Sequence, residues 1–335
     1  MKLATPRWWY VRSGAPAPVS RALLRPVSWI WALATARRVA RPPEVDPGVP
    51  VISVGGLTVG GVGKTPVVRA LLARLRAAGV EAQGLSRGYG GRLAGPVQVD
   101  PQRHTAADVG DEPLMLARDG PIWVARDRGA GARAAVAGGA QALVLDDAHQ
   151  NPTLPKTLSL VVVDGETRDD EWPFGDGAVF PSGPMREPLK AGLARADAVI
   201  LLLPMGLEAA DPALLALFVG KPVLIARLTA EAPPAGPQVG FAGVAKPWKV
   251  KRALITAGCE LVDFASFPDH APIDESSLSF LAERAAAEGG GLVTTEKDWM
   301  RLSPAWREKV TPWPVRVVFD DETALEDLLR PIVDQ

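Results

Sequence analysis

Residues 51–66 read Val-Ile-Ser-Val-Gly-Gly-Leu-Thr-Val-Gly-Gly-Val-Gly-Lys-Thr-Pro, an apolar strand running into a glycine-rich loop that opens a helix. Such a loop turns successive backbone N–H groups toward a phosphate chain, and the helix N-terminus adds its partial positive charge. Glycine at Gly60, Gly61 and Gly63 keeps side chains out of the phosphate's approach, Lys64 can reach the β- and γ-phosphates, and the Thr65 hydroxyl is placed to ligate Mg2+. Val62 and Pro66 complete the nucleotide-binding stretch. Thr58 stands where the strict P-loop pattern has its first glycine.

A P-loop needs an acidic partner for the metal, commonly at the end of a neighbouring apolar strand. Residues 142–147, Ala-Leu-Val-Leu-Asp-Asp, supply one. Two adjacent carboxylates on an extended chain point to opposite sides, so of Asp146 and Asp147 one can hold Mg2+, directly or through water, while the other positions or relays. The plain alternative is a strand end with solvated acids. Arg87, Arg126, Arg128 and Arg186 are candidates for phosphate binding, because the guanidinium fork matches phosphate oxygens bidentately; ordinary surface pairing is the competing reading, and Arg186 is the foremost of the four.

The elements that must carry these groups follow a βαβ rhythm. Short apolar runs at 49–54, 83–86, 122–125, 142–146, 160–164, 198–203 and 223–226 alternate with helical stretches, among them 67–78 and 131–138. Strands apolar on both sides suit a parallel sheet covered by helices on both faces, so the fold class is α/β, a P-loop NTPase-like parallel sheet flanked by helices. Proline and glycine crowd residues 231–237 and mark a connection to a smaller C-terminal α/β domain with strands near 239–243, 260–264 and 292–295 and helices near 248–257 and 275–288. The expected organisation is an N-terminal region over 1–45, a P-loop core over 46–230 and the smaller domain over 231–335. The last strand and helix, 315–319 and 323–332, could return to either domain.

With 335 residues and 47% apolar content the chain can bury a large core. Its 37 basic and 38 acidic residues nearly cancel, which gives no basic field for nucleic acid. The single cysteine, Cys259, cannot form an internal disulfide, and no stretch reads as a cleaved signal peptide, so a reducing cytoplasm is the expected compartment. The N-terminus carries Trp8, Trp9 and Tyr10, then an eleven-residue uncharged, largely apolar run over 26–36 closed by Arg37 and Arg38, too short to span a bilayer. An amphipathic helix in the membrane interface, with Trp29 and Trp31 among acyl chains and Arg21, Arg25, Arg37 and Arg38 at anionic head groups, accounts for the pattern. A helix packed on the protein's own core accounts for it equally.

The P-loop variant is followed in order by Ser-Arg-Gly-Tyr at 86–89, Val-Gly-Asp-Glu-Pro at 109–113, Leu-Asp-Asp at 145–147, Pro-Ser-Gly-Pro-Met-Arg-Glu-Pro-Leu at 181–189, Phe-Ala-Gly at 241–243, Phe-Pro-Asp-His at 267–270 and Thr-Glu-Lys-Asp at 295–298. In this the chain resembles the tetraacyldisaccharide 4'-kinases of lipid A biosynthesis along nearly its whole length. The P-loop variant and Arg-Glu-Pro-Leu are specific to that family; Phe-Ala-Gly and Thr-Glu-Lys-Asp are weak alone.

The resemblance implies a monotopic enzyme on the cytoplasmic face of the inner membrane that moves the γ-phosphate of ATP, with Mg2+, to the 4'-hydroxyl of a tetraacylated glucosamine disaccharide 1-phosphate. It thereby favours the interfacial reading of the N-terminal helix. By matching motif, Asp111 is the base that accepts the sugar hydroxyl's proton and His270 orients it; spacing alone gives His270 no partner. Gln150 is kept from a family motif that usually reads Asp-Asp-Gly-(aromatic or Leu)-Gln-His followed by basic residues, whereas residues 146–151 here are Asp-Asp-Ala-His-Gln-Asn. Implied partners are ATP, the acylated disaccharide and the membrane surface, with no obligate protein partner. The rival class is a P-loop nucleotide switch or metallochaperone-type NTPase, which one Cys and three scattered His disfavour. A membrane-surface binding protein with a vestigial nucleotide site is the third reading, opposed by intact Lys64, Thr65, Asp146 and Asp147.

Overall fold

The computed structural model describes residues 6–12 and 17–334; residues 1–5 and 13–16 of the N-terminal region, and residue 335, lie outside the described residues. Thirteen strands follow in chain order: β1 (Val51–Gly56), β2 (Ala82–Ser86), β3 (Val97–Gln98), β4 (Ile122–Val124), β5 (Ala142–Asp146), β6 (Leu158–Asp164), β7 (Ala198–Leu203), β8 (Val223–Ala230), β9 (Gln238–Ala242), β10 (Leu261–Ser266), β11 (Gly291–Thr295), β12 (Val310–Trp313) and β13 (Val315–Phe319). Nine form one sheet in the order β13-β8-β7-β6-β1-β5-β2-β4-β3, parallel except at its two edges, where β13 and β3 run antiparallel to their neighbours. The other four form a parallel sheet, β10-β9-β11-β12.

Strands β1, β5, β6 and β7 are buried along their whole length, as residues apolar on both faces require in a sheet covered on both sides. Helix Lys64–Ala77 covers one face through Val67, Val68, Leu71, Leu72 and Leu75. The closing segment returns to the first sheet. β13 pairs with β8, and helix Glu322–Val333 buries Leu325, Leu329 and Ile332 in the same core as β1 and β5. β12, made of Val-Thr-Pro-Trp, and the two-residue β3 carry too little β signal to be legible in the sequence.

Helix Pro18–Val39 runs 22 residues, through Pro26, although its uncharged sequence run is only half as long. Its polar side faces inward. Ser28 lies 2.7 Å from Ser182, both buried, and Arg21, 7% exposed, pairs with Asp176. This corrects the expectation that Arg21 meets head groups. Its apolar side faces out: Val19, Leu23, Trp29 and Ile30 are each about 70% exposed. No helix among the described residues is long and apolar enough to cross a membrane.

Candidate active site

β1 delivers its C-terminal end to the phosphate loop at the middle of the first sheet, between β5 and β6. Gly63 caps helix Lys64–Ala77 with φ +83°, and a Cβ there would fall 2.3 Å from Leu202 Cδ2, so both backbone and space demand glycine. Gly60 has φ +97°. Gly61 differs: a Cβ would meet only Ala245, at an ordinary 3.7 Å, so the protein's own packing does not exclude a side chain there, and the expected need for glycine rests on the phosphate's approach alone. Thr58, in place of the usual glycine, forms an antiparallel bridge with Met185, an extended conformation that needs no glycine. Pro66 sits in the first helical turn, where an N–H would have no helical partner. Val62 is buried in the core below the loop.

β5 ends at Asp146, and Asp147 turns into the left-handed region at φ +50°. The two acids therefore do not alternate along an extended chain as expected; the turn sets them apart. Asp147 accepts from both Arg186 terminal nitrogens, at 2.7 and 2.9 Å, and lies 3.6 Å from Lys64 Nζ. Burial alone would raise its pKa, but Lys64 and Arg186 hold it below the usual carboxylate range. Asp146 is pushed up to about 7 by burial first, then by the charges of Glu112 and Asp147. Its Oδ1 is buried and has no hydrogen-bond partner among the described residues. A buried carboxylate oxygen without a donor, on the strand beside the one that leads into the loop and its buried Thr65, fits a bound cation.

The arginine candidates separate by place. Arg186 is committed to Asp147 and, through Nε, to the Thr58 carbonyl at 2.9 Å. Arg128 is buried and donates to the carbonyls of Asp146 and Asp147 at 2.8 and 3.2 Å, clamping the strand end. Arg87 and Arg126 are exposed. Gln150 donates to the Gly56 carbonyl and to Glu187 Oε1, both at 3.0 Å. His149, beside it, is packing: 1% exposed, with Nδ1 at 3.1 Å from Ser159 Oγ and Nε2 at 2.9 Å from the Gly192 carbonyl. Burial and then Arg195 lower its pKa to about 4, so it stays neutral and does not stand in for the family histidine at Asn151.

Four motifs distant in sequence converge beside the loop. Gly110, at φ +93°, cannot carry a Cβ because the Tyr89 carbonyl would lie 2.6 Å from it, and it sets Asp111 at the start of helix Asp111–Leu116. Asp111 Oδ2 is 3.0 Å from His270 Nδ1, and the Tyr89 ring packs on the imidazole at 5.1 Å. His270 holds φ +56°, a left-handed conformation uncommon for histidine. Thr295 and Asp298 cap the turn Glu296–Trp299 reciprocally, which presents Lys297 Nζ to His270 Nε2 at 3.2 Å and to Glu112 at 3.1 Å. Arg301 Nε stands 3.7 Å from Asp111. Burial would raise the Asp111 pKa, yet the His270 hydrogen bond and the charges of Lys297 and Arg301 hold it below its ordinary value. Lys297, Arg301 and Tyr89 were not singled out from sequence; Lys297 and Tyr89 lie within quoted motifs, and only the fold gives them partners.

The family described as tetraacyldisaccharide-1-P 4'-kinase matches residues 20–334. A tetraacyldisaccharide 4'-kinase of Caulobacter vibrioides is 68% identical over 333 residues, with 99% of each chain covered, and that of Phenylobacterium zucineum is 65% identical over 97% of this chain and 98% of its own. The crystal structure of LpxK from Aquifex aeolicus in complex with ATP superposes with a TM-score of 0.73 at 25% identity, covering 94% of this chain and 99% of that one. The chain belongs to the tetraacyldisaccharide-1-P 4'-kinase family.

Proposed function

We propose that the protein transfers the γ-phosphate of ATP to the 4'-hydroxyl of a tetraacylated glucosamine disaccharide 1-phosphate. The observation that carries this reading is the Asp111–His270 hydrogen bond, which joins the helix after Gly110 to the loop after β10 and supports reading the buried Asp111, held below its ordinary pKa, as the base. In this reading Lys64 neutralises charge gathering on the β- and γ-phosphates. The Thr65 hydroxyl and Asp146 would hold Mg2+, which would supply further charge neutralisation. Asp111 takes the 4'-hydroxyl proton as that oxygen bonds to the γ-phosphorus, and the bond to the β–γ bridging oxygen breaks to release ADP. His270 and Lys297 keep the carboxylate oriented. Closure of the second sheet's unit over the acceptor would exclude water as a competing nucleophile. Arg87 and Arg126, exposed and in no buried ion pair among the described residues, with Arg126 Nη2 donating to the Gly91 and Arg92 carbonyls at 3.4 Å, remain candidates for the substrate's 1-phosphate.

We further propose that the protein works on the cytoplasmic face of the inner membrane; the helix Pro18–Val39 supports the membrane-surface part of that reading. A helix whose polar side is inward and whose Leu23, Trp29 and Ile30 face out has its apolar stripe presented for acyl chains, with Arg25, Arg37 and Arg38 exposed for head groups. Trp31 Nε1 donates to the Arg186 carbonyl at 3.2 Å, so the same helix borders the site. Incubating the purified chain with labelled ATP and a tetraacyl disaccharide 1-phosphate in detergent micelles should yield a bisphosphorylated lipid. ATP hydrolysis with no phosphorylated lipid would overturn the acceptor assignment.

A further inference from the structure

Four consecutive carbonyls at the start of the phosphate loop each accept a hydrogen bond from outside it. Gln150 Nε2 donates to Gly56 at 3.0 Å, the Arg186 backbone N–H to Leu57 at 2.7 Å, Arg186 Nε to Thr58 at 2.9 Å, and the Tyr10 hydroxyl to Val59. In a trans peptide the C=O and the next N–H point in opposite directions. A carbonyl drawn outward turns the following N–H the other way; the Val59 N–H after Thr58 is taken by the Pro184 carbonyl at 2.8 Å, which leaves the Gly60 N–H after Val59 as the one an anion cradle can use. Three of these donors belong to segments that border the site anyway. The fourth comes from the short helical turn Arg7–Tyr10, ahead of the long N-terminal helix.

Tyr10 is firmly set. It is 2% exposed, its carbonyl accepts from the Trp172 N–H at 2.6 Å, and Val11 bridges Glu171. Lys246, in the connection after β9, lies 3.9 Å over the Tyr10 ring and pairs at 2.9 Å with buried Asp164 at the end of β6. Burial, then the charge of Asp164, pushes the phenol well above its ordinary range, which keeps the hydroxyl a donor. The hydroxyl also stands 3.0 Å from where a Cβ on Gly60 would lie.

We propose that Tyr10 is a positioning residue of the nucleotide site, its hydroxyl fixing the Val59–Gly60 peptide so that the Gly60 N–H faces the phosphates. The N-terminal segment thus completes the cradle as well as leading into the outward-facing helix. This rests on the reading of residues 51–66 as a phosphate cradle and is independent of the acceptor's identity.

The test is Tyr10→Phe in the full-length chain, which keeps the ring and removes only the donor. Calorimetry with Mg·ATP and no lipid should show affinity weakened about tenfold, the order of one lost buried hydrogen bond. In micelle assays the KM for ATP should rise in parallel while the KM for the lipid acceptor stays within about twofold, vesicle binding should match the parent, and the melting temperature should fall by no more than the few degrees that one lost buried hydrogen bond costs. Unchanged ATP affinity in the folded variant overturns the proposal. So does a lowered melting temperature with both KM values raised alike, which is the signature of a merely structural tyrosine. A parent protein that binds no ATP would remove the cradle reading and the proposal together, whereas a parent that binds ATP without phosphorylating lipid would leave Tyr10 testable and sink only the acceptor.

Discussion

Asp111 and His270 stand 159 residues apart in the chain, yet the imidazole Nδ1 lies 3.0 Å from the Asp111 Oδ2. The other ring nitrogen faces the Lys297 ammonium at 3.2 Å. Burial would lower the Lys297 pKa, but Glu112, Asp111 and Asp269 hold it charged, above the ordinary lysine value. An ammonium can only donate, so its hydrogen bond to Nε2 pairs with an Nδ1–H donated to Asp111, while Asp269 Oδ1 lies farther from Nε2, at 3.6 Å. In the proposed mechanism the proton taken from the acceptor passes to the Asp111 carboxylate, which this hydrogen bond orients.

It follows that His270 acts through Asp111. Asp111→Ala should lower kcat by about 10²- to 10⁴-fold, the range of a general base, and His270→Ala should also lower it, by less. The double variant should cost little more than Asp111→Ala alone, since without the carboxylate the imidazole has nothing to orient. Multiplicative losses at saturating ATP and acceptor would remove the dyad from the mechanism.

The pH profile gives a second reading of the same contact. Because the folded pKa of Asp111 is depressed, its ionised form contributes stability above the unfolded carboxylate value and loses it as pH falls through the folded value. The base accordingly stays ionised below the usual carboxylate range, and the acid limb of kcat from this group lies there too. In His270→Ala the burial of Asp111 is still opposed by Lys297, Arg301 and the Glu112 N–H but no longer by the imidazole, so the acid limb should move to higher pH. A limb that stays in place would mean that the hydrogen bond does not tune the base.

Lys64→Ala and Thr65→Ala test the cradle. Neither side chain anchors the core, so thermal or urea unfolding should shift by no more than about 0.5 kcal/mol. Turnover should fall about 10²-fold or more, as when a preorganised charge partner is removed from a transition state. A large drop in melting temperature with turnover retained by the folded fraction would make the loop structural.

Much of this was legible before any coordinates. The strands at 142–146 and 198–203 match β5 and β7 because runs buried on both faces leave only one reading. The P-loop was legible because a phosphate cradle constrains consecutive residues. His270 was not legible from its own surroundings, since it and its partners Asp111 and Lys297 come from three separate segments that only tertiary structure joins. Asp147 misled for a local reason: a left-handed residue after a strand looks in sequence like one more strand residue. The N-terminal helix left two readings open because sequence gives the apolar stripe but not the direction it faces; Ser28 against Ser182, and Arg21 against Asp176, turn the polar side inward.

That orientation yields the last prediction. Val19, Leu23 and Ile30 are exposed and make no part of the core, so replacing all three with serine should leave folding and micelle activity near the parent. Burying each in a bilayer interface is worth on the order of 1 kcal/mol or more, so the triple variant should lose roughly 100-fold or more in binding to anionic vesicles and a matching share of activity on vesicle-borne substrate. High salt should release only part of the parent protein, because it screens Arg25, Arg37 and Arg38 but not apolar insertion, while detergent should release all of it. Truncation of residues 1–40 is a poorer probe, since it also removes Tyr10 from the Val59 carbonyl and mixes a nucleotide defect with a membrane one. A parent chain that stays in the soluble fraction with vesicles at low salt, or a serine variant that binds them as tightly as the parent, would show that the exposed stripe meets something other than lipid.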